Sequence, residues 1–162
     1  MAALQPRESV LDDRPAAGSR PDAVLIGYQD QGNLGMGYLA SVLRERGRSV
    51  EMIDIREGPE RIGERLIASP PLVVGFSLIF QFFLPQFRRL ATHLRTIGVD
   101  SHFTIGGHYP SLCHDEVLAS FPELDSVARF EGEITLLELV ERLGAGEEWR
   151  EVAGLAFLRD GQ

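Results

Sequence analysis

Short apolar runs alternate with segments of helical period along most of this chain, and that alternation narrows its fold more than any other feature. Residues 23–27, 49–55, 72–77, 101–105 and 125–130 are apolar runs of strand length. Between them lie helical segments at 33–46, 59–68, 85–97 and 115–120, and a further one follows at 134–143. Several boundaries carry their own chemistry. Asn33 suits a helix N-cap, Pro85 suits a first turn where its missing N–H costs nothing, and Gly47 and Gly98 suit helix ends. Strands separated by helices pair in parallel through right-handed crossovers. About five such units predict an α/β, flavodoxin-like (Rossmann-like) doubly wound parallel sheet of about five strands, with residues 149–158 as an added edge segment. Residues 1–21, with Pro6, Pro15, Pro21 and the pair Asp12-Asp13, show no sustained period and are expected to be a flexible leader to a domain spanning 22–162.

Composition enters as a set of exclusions. A hydrophobic fraction of 44% and a charged fraction of 25% over 162 residues suit a globular domain with a real core. No stretch approaches the roughly 18 apolar residues of a spanning helix, and the N-terminus lacks a secretory core, so the chain reads as cytosolic, with no membrane as partner. The single cysteine, Cys113, excludes an internal disulfide or a multi-cysteine metal or iron–sulfur site. A net charge of −8 argues against nucleic acid, whose phosphates are bound by clustered Lys and Arg.

Ligands of open parallel sheets bind beyond the carboxyl ends of the strands, at the switch in strand order. The relevant loops therefore follow residues 27, 77, 105 and 130. The first holds Asp30, Gly32, Asn33, Leu34 and Gly35. The second brings the hydroxyl of Ser77, then Leu78, Ile79 and the aromatics Phe80, Phe82 and Phe83. In the third, Gly106 and Gly107 remove two side chains and so open a slot, and His108 and Tyr109 follow. The fourth is Glu131-Gly132-Glu133, whose acids also complement a helix N-terminus. His102, His108, Cys113, His114 and Asp115 lack the spacing of a metal site. Neither a nucleophile-elbow serine nor a G-x-x-x-x-G-K-[ST] phosphate loop occurs, so no catalytic set emerges and the chain reads as a binding module.

Residues 33–40 (NLGMGYLA), 74–78 (VGFSL), 106–110 (GGHYP), 131–133 (EGE) and 154–156 (GLA), at successive strand ends, resemble the cobalamin-binding domain found at the N-terminus of cobalamin-dependent radical S-adenosylmethionine enzymes. The resemblance covers residues 22–160. The wider family carries D-x-H-x-x-G, S-x-L and G-G. Asp30 and Gly35 lie on the first motif, but Gly32 stands at the cobalt-ligating histidine; Ser77 lies on the second, with Ile79 for Leu, and Gly106-Gly107 on the third. The resemblance implies a base-off cobalamin without a protein histidine ligand. It also implies a radical domain, in cis or in trans, that would supply the 4Fe-4S cluster and bind S-adenosylmethionine, for methyl transfer. Two other readings stand beside it. Gly35-x-Gly37-x-x-Ala40 with Asp54 matches an NAD(P)-binding oxidoreductase fingerprint, although Gly35 stands several residues beyond the strand end at Gly27. A cofactor-free docking domain is the third reading.

Overall fold

The computed structural model describes residues 20–29 and 33–158. Most of the expected leader (1–19), and with it Asp30 and Gly32, therefore lie outside the described residues. Of the leader, Pro21 is buried and Arg20 donates to the Pro71 carbonyl at 3.2 Å.

Five parallel strands form the sheet: β1 (Ala23–Gly27), β2 (Val50–Asp54), β3 (Val73–Ser77), β4 (His102–Gly106) and β5 (Ser126–Ala128). A short β6 (Leu155–Ala156) pairs antiparallel on β5, so the order is β2-β1-β3-β4-β5-β6. This is the doubly wound, flavodoxin-like order, with its switch between β1 and β3. Near-continuous burial along β1 and β3 explains their Val- and Ile-rich runs, because helices cover both faces.

The helices are α1 (Leu34–Glu45), α2 (Pro59–Ala68), α3 (Leu84–Thr96), α4 (His108–Leu112), α5 (His114–Ser120) and α6 (Gly132–Ala145). Asn33 caps α1 by accepting from the Met36 N–H at 3.1 Å, and Pro59 and Pro85 stand in the first turns of α2 and α3. Each face has its own core. On one, α2, α3 and α5 bury Ile62, Leu66, Phe87, Leu90, Leu94 and Val117 against Val24, Ile26, Val74, Phe76, Phe103 and Ile105. Phe76 lies edge-on to Phe87 and Phe103, with ring centroids 6.1 and 5.6 Å away. On the other, α1 and α6 bury Met36, Ala40, Leu43, Leu136, Leu139 and Val140 against Ala23, Leu25 and Val73.

Candidate functional site: a slot under α1 and α6

Strand register builds the site. Gly27 pairs with Ser77, Ser77 with Gly106 and Gly106 with Ala128, so one row of residues crosses four strands at their carboxyl ends. Every member is small. Two residues upstream, on the same face, the row is Leu25, Gly75, Thr104 and Ser126. The floor under α1 and α6 is therefore low, and the helices do not fill it. A slot of about 150 Å³ remains, lined by Gly35 and Leu39 of α1, by Gly75, Ser77, Thr104, Gly106, Gly107 and Ala128 from the sheet side, and by Phe130, Gly132, Glu133 and Leu136 around α6. Its walls are mainly apolar. That volume is on the order of an apolar cavity that takes up benzene.

Space decides most of the glycines here. A Cβ on Gly75 would lie 2.8 Å from Leu25 Cδ2, and one on Gly27 would lie 2.9 Å from Asn33 Nδ2. The second vacancy lets Asn33 lie across the ends of β1 and β3. Its Nδ2 donates to Ser77 Oγ at 3.1 Å, and Ser77 Oγ donates back to Asn33 Oδ1 at 3.3 Å. Gly107 differs from both. It holds a φ of 126°, and a Cβ there would overlap the carbonyl of Leu78. Gly106 keeps the slot open, whereas Gly107 lets the chain turn into α4 against the Leu78 backbone. The expectation that both glycines open the slot by lacking side chains is thus corrected for Gly107.

The other residues singled out in the sequence separate into groups. Gly35, Ser77, Gly106, Gly107, Gly132 and Glu133 line the slot. Asn33 touches it through Ser77. Leu78 is fully buried in the core of the opposite face, one step out of phase with Ser77, so its side chain is no slot contact. Leu34, Ile79, His108, Tyr109 and Glu131 stand outside the lining, at its carboxyl-end surroundings. Thr104, Leu136 and Phe130 line the slot and were not singled out, and Gly75 and Leu39, which lie within the quoted motifs, were not named as site residues. Counting back by two from Ser77 and Gly106 finds Gly75 and Thr104 on the same face, so the signal for those two was present. Nothing in the sequence marks Phe130. It is the one non-glycine residue at positive φ among the described residues (58°), with its N–H held by Ser111 Oγ at 2.8 Å.

The nicotinamide fingerprint does not assemble. Gly35 and Gly37 lie within α1, and the Asp54 carboxylate is already engaged. Arg56 Nε and Nη2 donate to it at 2.9 and 2.7 Å, and these side-chain bonds hold its pKa down at about 2. Among the described residues no group of three His, Cys, Asp or Glu side chains forms a metal site, and no helix is long and apolar enough to cross a membrane.

A doubly wound sheet with an apolar slot beneath its switch-point helices belongs to the class of open-sheet domains that bind ligands at the carboxyl ends of their strands. Residues 22–140 match the model of the B12-binding domain, and the chain belongs to that family; its cofactor is cobalamin. Among curated proteins it is 31% identical over 153 residues to an anaerobic magnesium-protoporphyrin IX monomethyl ester cyclase of Synechocystis, an alignment covering 91% of this chain and 30% of that protein. It is 28% identical over 132 residues to an uncharacterized methyltransferase of Pyrococcus horikoshii, covering 80% of this chain and 28% of that one. It is 29% identical over 154 residues to a cytidylyl-2-hydroxyethylphosphonate methyltransferase of Streptomyces wedmorensis, covering 80% and 28%. The chain thus spans less than a third of the length of each of these relatives.

Proposed function

We propose that this domain holds cobalamin base-off, with the nucleotide tail in the slot and the corrin over the carboxyl ends of the strands, as the cofactor module of a radical S-adenosylmethionine enzyme that carries out methyl transfer. The observation that carries the reading is the slot itself. Gly75, Ser77, Gly106 and Ala128 clear a passage for one flat aromatic group, and Leu39 and Leu136 would pack on its faces. Asn33 fixes Ser77 at the mouth, and Glu131 to Glu133 border the other side, opening α6. When bound, cobalamin supplies cobalt-centred methyl-transfer or one-electron chemistry. The chain's own residues bind, orient and exclude water.

The absence of a histidine ligand is supported by where the described histidines stand. His102 is buried and tied to Ser126, His93 lies on α3 against α2, and His114 contacts Asp115. That leaves His108, exposed at the start of α4. Gly32, at the family's histidine position, lies outside the described residues. Visible spectra of the loaded domain are expected to show the base-off form across neutral pH, identically in wild type and His108→Ala. A nitrogen-ligated spectrum that disappears in His108→Ala would overturn the base-off, His-free reading.

Radical cleavage of S-adenosylmethionine requires an iron–sulfur cluster held by cysteine thiolates, and this sequence has Cys113 alone. Two of the relatives carry methyltransferase in their names, and all three are more than three times as long as the aligned region, which supports a second catalytic domain in the working enzyme. The purified chain with cobalamin, S-adenosylmethionine and a strong reductant is expected to form no 5′-deoxyadenosine.

A further inference from the structure

Charge on this chain is unevenly paired. Several arginines are engaged on carboxylates: Arg56 on Asp54, Arg65 on Glu57, Arg95 on Asp125 and Arg142 on Glu138. Arg88 and Arg89 on α3 are not, and neither are Glu60 and Glu64 on α2. All four are exposed, and among the described residues none has an ion-pair or side-chain hydrogen-bond partner. These four share one surface. Helices α2 and α3 pack side by side over the same sheet face, and both return from the carboxyl end of a parallel strand, so they run in the same direction. Glu60, Glu64 and Ile67 recur at helical spacing and form the outer stripe of α2; Pro85, Arg88, Arg89, Thr92 and Thr96 form that of α3. An open groove follows α3, with Arg88, Arg89, Thr92 and Thr96 on its walls. Between the stripes, Ile97 lies over Gly63, where a Cβ would come within 2.6 Å of Ile97 Cδ1. Ile97 is 39% exposed, and Ile67, one turn along α2 from Gly63, is 49% exposed. Of the other charges here, Arg61 pairs with Glu57 at 3.5 Å and Glu123 takes the Thr92 hydroxyl at 2.5 Å. The face therefore carries an acidic stripe, an apolar seam and a basic stripe, and its free charges balance in a molecule of net charge −8.

We propose that this face joins two copies of the chain in a two-fold dimer, with α2 of each copy lying along α3 of the other. A face of balanced charge is where two chains of net charge −8 can approach. A two-fold axis parallel to the helices, in the plane of the face, lays the acidic stripe of each copy on the basic stripe of the other and keeps both at one level. Gly63 sits between His93 and Ile97 in level, so counting back places Glu60 within about one turn, 5.4 Å, of Arg89. An arginine side chain spans that distance. Glu60 of one copy then meets Arg88 and Arg89 of the other, twice over, with Glu64 a turn further along opposite Thr92 and Thr96. The two Ile97 side chains meet at the axis, with Ile67 beside them. Exposed ion pairs are worth little singly, so they set partner and register while the isoleucines supply the burial. Two helices about 15 and 20 Å long make a small face, so the dimer is weak and fills with concentration. It leaves the strand ends and the slot under α1 and α6 free for cobalamin and for a covering domain.

The test is sedimentation of the purified chain from micromolar to near-millimolar concentration, beside two charge-reversed variants. One is Arg88→Glu with Arg89→Glu, the other Glu60→Arg with Glu64→Arg. Wild type is expected to pass from monomer to dimer over that range. Each variant alone sets like charges opposite one another and is expected to dimerise roughly tenfold more weakly or worse. An equimolar mixture of the two is expected to recover wild-type association, because the reversed stripes are complementary to each other. Both variants are expected to take up cobalamin as wild type does. A wild type that stays monomeric throughout, a variant that dimerises as tightly as wild type, or a mixture that associates no better than its components would each overturn the proposal. Should a variant not fold, amide chemical shifts of the unaltered chain decide: residues 60–67 and 88–97 are expected to move with concentration. Changes confined to other surfaces, or none, overturn the dimer face.

Discussion

Adjacent glycines in this chain do different work, and the difference is measurable. A Cβ on Gly106 would meet nothing nearer than the Ala128 carbonyl oxygen at 3.4 Å, so Gly106→Val is expected to fold with a melting temperature near wild type. Its branches would occupy the slot, and cobalamin affinity is expected to fall more than tenfold, about 1.4 kcal/mol. Gly107→Ala meets both a φ of 126° and the Leu78 carbonyl, and is expected to lose about 2 kcal/mol of stability. Thermal melts beside cobalamin titrations separate the two; a stable Gly107→Ala would show that the turn into α4 is looser than its geometry implies. His102 carries a pH dependence of its own. Burial, opposed by Asp125 and assisted by Arg95 and Arg150, lowers its pKa from 6.5 to about 4. Between those values the unfolded chain binds a proton that the folded chain excludes. The contribution to stability is therefore complete above pH 6.5 and is lost as pH falls towards 4, by at most about 3 kcal/mol. Melts from about pH 7 to about pH 4.5 are expected to show that fall in wild type and a shallower one in His102→Gln.

Helices and strands whose boundaries follow from local chemistry were legible before the structure; those set by tertiary contacts were not. Pro59 and the apolar spacing of Ile62 and Leu66 mark α2, which runs Pro59–Ala68 as the sequence indicates. The start of α1 follows from Asn33 in the same way. Helix α4 was hidden by Pro110, which reads as a turn former after two glycines. It stands instead in the first turn, where no N–H partner is lost, and Ser111 Oγ ties the turn back to the Gly107 carbonyl at 2.7 Å. The slot was legible by halves. Its mouth showed as small residues at strand ends, and counting back by two reaches Gly75 and Thr104 of its floor; that α1 and α6 cover this side, with Leu39 and Leu136 as its walls, is a property of the packed sheet. Arg95 is another product of packing. From the end of α3 it donates to the carbonyls of Val99, Ser101 and Glu123, pairs with Asp125 at 2.7 Å, and lies 3.6 Å over the Phe103 ring. It thereby joins α3 to the starts of β4 and β5. Lysine cannot reproduce that fork, so Arg95→Lys is expected to cost about 1–3 kcal/mol in chemical denaturation. A loss within error would mean that water replaces these bonds without penalty.

On the scale of the whole molecule, the exposed apolar side chains concentrate at one end, while Tyr38, Ile67, Ile97 and Leu158 stand apart from it. Leu34, Phe82, Leu112, Phe130 and Ile134 are 63–71% exposed, and each follows the carboxyl end of a strand or opens the helix after it. Phe80 and Phe82 stack with ring centroids 5.5 Å apart at the same end. An apolar rim surrounding a slot is what a wide, flat ligand and a covering domain would both use, and clustered exposed apolar surface of this kind marks binding sites. The two sheet faces are closed by α2 and α3 and by α1 and α6. Hydrogen exchange can test whether the rim is where cobalamin sits. Ligand at about a hundredfold over its Kd stabilises the whole fold by roughly 2.7 kcal/mol, which slows only those amides that exchange by global unfolding. Surface amides open locally and do not sense that term. Added protection in surface segments therefore reports contact. On loading, residues 79–83, 107–112 and 129–134 are expected to slow by tenfold or more, about 1.4 kcal/mol, while the solvent face of α2 does not change. Equal protection of α2 and the rim, or protection of α2 alone, would place the cofactor elsewhere and remove the physical basis for a domain covering the strand ends.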